Sequence, residues 1–193
     1  MGKAVLMSDG KYYFAREGAK VFLKLTGTLK YTISSKFDAF LDRLFSENGN
    51  IEDVIIDLSE AVFLDSTNLG FLAKISEYIT EKTGRKVTIY SPCKEINMLL
   101  ESVGFDEVFV IVTDTDADRA SEALLEEISS DLKEERQRSH MMLDTHRALM
   151  KISEKNSDIF RNVVELLEQS VKKKDQDSKK QAPGWIPPGV QER

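Results

Sequence analysis

Fourteen of the fifteen phenylalanines and tyrosines precede Thr113, and no glycine or proline occurs between Gly104 and Pro183. A part rich in large rings and turn residues is thus followed by a long stretch with few rings and no breakers. Rings supply the largest apolar areas a core can bury, and glycine and proline punctuate the turns between elements. The sequence therefore predicts a core-forming domain over residues 1–113 and a helical extension over residues 116–174. A disordered tail is expected over residues 175–193, where charged and proline-rich composition leaves too little to bury.

Inside the first part the apolar period alternates between strand and helix. Tyr12–Ala15 and Val21–Gly27 read as strands joined by a turn at Glu17-Gly18. Phe37, Phe40, Leu41, Leu44 and Phe45 fall at helical spacing within Ser34 to Phe45. Val54–Leu58 is a short apolar run of the kind found in a strand covered on both faces. A helix is expected from about Thr67 to Thr83 with Gly84 at its C′ position. Lys86–Tyr90 and Val108–Val112 read as further strands, with a helix opened by Pro92 and ended by Gly104 between them. This alternation predicts an α/β domain: a sheet of four to five strands with helices packed mainly on one side.

Composition narrows the functional classes. The formal net charge of −6 argues against direct nucleic-acid binding, which rests on neutralising phosphates with Lys and Arg. One cysteine, Cys93, permits no disulfide within the chain and fits a reducing compartment. No stretch approaches the roughly 20 apolar residues of a membrane-spanning helix, and Met1 to Ala15 carries charges where a signal peptide needs an apolar run. A cytoplasmic protein without membrane insertion is expected.

The segment with a chemical message is Val62-Phe63-Leu64-Asp65-Ser66-Thr67-Asn68-Leu69-Gly70. It joins a buried strand to a helix, where a short turn brings small polar side chains to the surface. Asp65, Ser66 and Thr67 are all residue types that cap helices. A phosphate on Ser66 would lie near the positive end of the helix dipole and would add about −1.5 to −2 charges beside Asp65. Capping and switching are both open to this turn, and one does not exclude the other.

This stretch, with Asp57-Leu58-Ser59 before it, resembles the signature of the STAS domain (sulfate transporter and anti-sigma-factor antagonist). The likeness covers roughly residues 10–112: Leu25-Thr26-Gly27, the Lys86–Tyr90 strand, and Leu99-Leu100-Glu101-Ser102-Val103-Gly104-Phe105 follow in the family's order. It is nearest to the anti-sigma-factor antagonists of general-stress sigma-factor circuits. The resemblance implies that Ser66 is phosphorylated and that Asp65, Ser66, Thr67, Asn68 and Leu69 form the partner-binding segment. It implies partner switching: the unphosphorylated form binds an anti-sigma factor that is a serine kinase, and phosphorylation releases it. A PP2C-type phosphatase reverses the change, and a response regulator is a further implied partner. An accessory STAS subunit of a transporter or signalling scaffold is the alternative. Many members have glycine where this chain has Asn68; asparagine tolerates a left-handed backbone better than most residues, so the turn can survive.

No catalytic constellation, cofactor motif or metal site can be read elsewhere, and the chain is expected not to be an enzyme. His140 and His146 fall on different faces of a helix and read as ordinary surface positions. Cys93, at a helix start, reads as a small structural residue. In the extension, Ala120, Ala123, Leu124, Ile128 and Leu132 suggest a helix from Asp116 to Leu132. Met142, Leu149, Ile152, Ile159, Val163 and Leu166 fit a heptad seam with Thr145 and Asn156 as polar members. A helix or hairpin folded back on the domain is expected; a coiled-coil dimer through the extension, or a partner-binding helix, is the alternative.

Overall fold

The computed structural model describes residues 9–46, 50–114, 124–129 and 135–180. Strands β1 (Lys11–Glu17) and β2 (Lys20–Leu29) pair antiparallel, with Glu17 opposite Lys20 across a two-residue turn. Gly18 holds φ +61° there, a conformation that glycine adopts without steric cost. The first half of β2 runs parallel to β3 (Asp53–Asp57) and its last residues run parallel to β4 (Ala61–Leu64), with a register shift between Gly27 and Thr28. Parallel strands β5 (Val87–Tyr90) and β6 (Phe109–Val112) extend the sheet beyond β3. On its other edge, β7 (Glu126–Glu127) pairs antiparallel with β1. The order is β6-β5-β3-β2-β1-β7, with β4 off this path on β2.

The sheet thus has seven strands among the described residues where four to five were expected: the five expected strands, with β4 and β7 added. The segment 124–129 also corrects the helix expected from Asp116 to Leu132 in that region. Leu125 packs with Ala15, Phe22 and Ile55, whereas Ile128 lies in the main core. On a helix, residues three apart share a face; these two are parted by the sheet, as odd spacing on an extended chain requires. Pairing also covers the edge of β1, where Ile128 N–H donates to the Tyr12 carbonyl at 2.8 Å.

Helices α1 (Ser35–Ser46), α2 (Ser66–Thr83) and α3 (Lys94–Ser102) follow the predicted order, and a short unpredicted helix α4 (Phe105–Val108) comes between α3 and β6. The main core lies on one face of the sheet, where Tyr12, Val21, Leu23, Leu25, Val54 and Ile56 meet the helices. Tyr12 stacks on Phe37 at 4.5 Å between ring centres, and Phe71 meets Phe37 edge-on. Gly84 ends α2 with φ +70°, its N–H donating to the Thr80 carbonyl.

The extension forms two long helices, α5 (Glu135–Ile152) and α6 (Glu154–Lys180), parted at Ser153. They are antiparallel: Arg147 bonds Glu168 at 2.7 Å and Lys174 donates to Ser139 at 2.9 Å. Leu143 on α5 meets Val164 and Val171 of α6 in a small core of their own. The heptad seam is divided by the break. Thr145, Leu149 and Asn156 are buried against the domain, whereas Ile159, Val163 and Leu166 are exposed on α6. Helix α6 continues through 175–180, where the disordered tail was expected to begin; the rest of that expected tail, 181–193, lies outside the described residues. No helix among the described residues is long and apolar enough to cross a membrane.

Candidate functional site

The turn from β4 into α2 is built on Asp65. Its backbone is extended, and its Oδ1 accepts the Asn68 N–H at 3.0 Å, so Asp65 is the N-cap and Ser66 the first helical residue. The same oxygen accepts from Asn68 Nδ2 at 2.9 Å, while Oδ2 accepts the Tyr31 N–H at 2.6 Å. One carboxylate therefore satisfies three donors and ties the segment after β2 to the start of α2. Among the three residues that could have capped, the aspartate does so, and the Ser66 hydroxyl is free of that duty.

The five predicted partner-binding residues do not share one environment. Asp65 and Ser66 are half-buried; Thr67, Asn68 and Leu69 are buried, at 2%, 1% and 3% exposure. Their side chains point into the fold because the first turn of α2 is roofed by its neighbours. Asn68 does not occupy a left-handed turn, since every positive φ among the described residues belongs to glycine. It sits in helix, and its side chain serves a buried network: Tyr12 hydroxyl donates to Asn68 Oδ1 at 2.6 Å, and Ser34 Oγ lies 3.0 Å from the Tyr12 oxygen. Burial pushes the Tyr12 hydroxyl above the ordinary phenol range, with Asp65 adding to the shift and the bonds to Ser34 and Asn68 opposing it.

Ser66 meets a residue that spacing did not single out. His146 on α5 is 3% exposed, and its Nε2 lies 3.0 Å from Ser66 Oγ. Its Nδ1 is 2.7 Å from the Met142 carbonyl, which can only accept, so that nitrogen carries a proton. In the neutral ring Nε2 is then the acceptor, and the Ser66 hydroxyl donates to it. Phe160 packs edge-on against the imidazole at 5.7 Å. His146 is therefore a buried partner of Ser66 and not a surface histidine. His140 lies apart, 3.7 Å from Asp175.

Contact continues along α2. A Cβ on Gly70 would stand 2.4 Å from the Thr145 carbonyl oxygen and 2.5 Å from Thr145 Cβ, too close for any side chain without displacement. Farther on, Glu77 pairs with Lys151. Ser66, Gly70 and Ala73 repeat at i, i+4 and i+7, a stripe of small residues that was the available sequence sign of a helix lying close.

Tyr31, Val62, Phe63 and Met98 are all exposed, with Tyr31 tied to Asp65 and α3 running beside β4. Cys93 is the N-cap residue of α3 and lies 3.2 Å from Glu95 Oε2. No group of three or more His, Cys, Asp or Glu among the described residues could hold a metal.

The sequence model of the family described as the STAS domain matches residues 15–120, more than half of the 193-residue chain. The matched span holds the sheet from the end of β1 to β6 and the whole Asp65–Ser66 turn; α5 and α6 lie beyond it. No curated protein matches the chain.

Proposed function

The chain belongs to the STAS domain family, and from that premise we propose that it is an anti-sigma-factor antagonist that switches partners through phosphorylation of Ser66. The observation that carries this reading is the division of labour in the turn. Asp65 caps α2 and anchors Tyr31, whereas the Ser66 hydroxyl is bonded to a helix outside the matched domain. Chemistry on Ser66 can therefore change the surface without undoing the Asp65 cap that starts α2.

Electrostatics favours a switch at this place. A phosphate at the first residue of α2 sits at the positive end of the helix dipole, which tolerates the anion. It also sits next to the Asp65 carboxylate, so the surface potential changes sharply. The exposed side chains of Tyr31, Val62, Phe63 and Met98 supply apolar area for a packed contact. An anion introduced at the rim of such a contact costs desolvation and repulsion, which is how phosphorylation would release the partner.

In this reading the chain catalyses nothing and needs no cofactor. The unphosphorylated form binds an anti-sigma factor that is also its serine kinase, and a PP2C-type phosphatase restores that form. A general-stress circuit with a response regulator is the setting that the Ser66 motif suggests. Affinity capture from a lysate of the source cells, with wild type beside Ser66→Ala and Ser66→Asp, tests it. Wild type and the alanine form should retain the same anti-sigma protein and the aspartate form should lose it; identical retention by all three would contradict the switch.

A further inference from the structure

We propose that the α5–α6 hairpin is an intramolecular lid on the Ser66 switch, latched by His146 and seated through the close contact of Gly70 with Thr145. The proposal rests on the reading of Ser66 as the modified residue and adds how its access is controlled. In the closed form Ser66 Oγ has His146 Nε2 at 3.0 Å, in the space that a phosphate on that oxygen would need. The imidazole is itself buried against Phe160 and has nowhere to retreat while α5 stays in place. A kinase can reach Ser66, and a partner can pack over the α2 face of Ser66, Gly70 and Ala73, once the hairpin has moved away.

The hairpin is built to move as a unit. Leu143, Val164 and Val171 hold α5 to α6 in a core separate from the main one, so the two helices can stay together after leaving the domain. What holds them down is a strip of Met141, Ala148 and Leu149 in the main core, together with polar fasteners. These are Ser66 to His146, Glu77 to Lys151, Asn156 Nδ2 to the Val103 carbonyl at 2.9 Å, and Lys155 Nζ to the Ser102 carbonyl at 3.2 Å. The open form exposes that apolar strip and is therefore the minor one. Phosphorylation would proceed at a rate scaled by the open population, and phosphate on Ser66 would keep the hairpin from closing.

Gly70 offers a perturbation aimed at the lid alone. Alanine strengthens α2 as a helix, but its Cβ collides with the Thr145 backbone. The probe is a thiol at position 66: Ser66→Cys in the full chain, with Cys93→Ser removing the native thiol, labelled by a neutral maleimide. The parent should label slowly, and adding Gly70→Ala should raise the rate about tenfold, as should His146→Ala, by enlarging the open population. If Gly70→Ala does not fold, the His146→Ala arm decides. Equal rates with and without the substitution, or a parent that labels as fast as the urea-unfolded chain, would overturn the lid. Labelling needs no kinase, so the two ideas fail separately. A lid that opens over a serine no kinase modifies would sink partner switching alone, and unchanged labelling beside a phosphorylated Ser66 would sink the lid alone.

Discussion

Replacing Asp65 by alanine should destabilise the protein by about 3 kcal/mol, and replacing Ser66 by alanine by about 1 kcal/mol. The difference follows from what each side chain holds. Asp65 accepts the Asn68 N–H, Asn68 Nδ2 and the Tyr31 N–H at 3.0, 2.9 and 2.6 Å. Loss of an N-cap costs about 1 kcal/mol. Hydrogen bonds to a charged acceptor contribute about 1.5–3 kcal/mol, here at the low end because Asp65 is half-buried. The buried Asn68 amide would also lose an acceptor. Ser66 makes one described side-chain bond, to His146, whose buried Nε2 would lose its donor. Urea unfolding followed by circular dichroism is the assay. With a slope of about 2 kcal/mol per molar, the midpoint should fall by about 1.5 M for Asp65→Ala and about 0.5 M for Ser66→Ala. Asp65→Asn should recover much of the loss, because asparagine also caps well. The reverse order, with Ser66→Ala the more damaging, would refute the assignment of the cap to Asp65.

Two further outcomes are expected. The fold favours the neutral Tyr12 phenol, since burial raises its pKa; its contribution is complete below about pH 10, the unfolded value, and is lost as pH rises toward the higher folded value. Tyr12→Phe should therefore be less stable at neutral pH but show a flatter alkaline limb in urea titrations; an unchanged limb would contradict the buried-phenol account. Asn156 donates to the Val103 and Leu149 carbonyls at 2.9 and 3.1 Å. Asn156→Ala should raise amide exchange in α5 while leaving β3 and β5 protected, and equal loosening of both would show the hairpin and sheet to be one cooperative unit.

The parts of the fold carried by local pattern were readable in advance. The Val54–Leu58 run and the Gly84 stop each act through nearest neighbours, so spacing exposes them. Strands β4 and β7 were not readable. Val62 and Phe63 are exposed apolar residues with no alternation, and Glu126–Glu127 pair only because the β1 edge is there to receive them. The Ser66 turn was legible as a motif, but the duties within it were not. That Asp65 caps, that Asn68 serves Tyr12, and that His146 reaches Ser66 across 80 positions are products of tertiary packing. A buried histidine on an amphipathic helix looks like a surface one until the opposing helix is known.

Phosphate mapping joined to affinity shows whether Ser66 is modified and whether that modification releases the partner. Wild-type protein would be incubated with ATP and the kinase retrieved by affinity capture, the modified residue located by tandem mass spectrometry, and the Kd for that kinase measured before and after. Phosphate is expected on Ser66 and not on Ser66→Ala, with the complex weakened at least about a hundredfold, which corresponds to about 2.8 kcal/mol. Phosphate on Thr67 or elsewhere, or a complex as tight after modification of Ser66 as before, would contradict the switch.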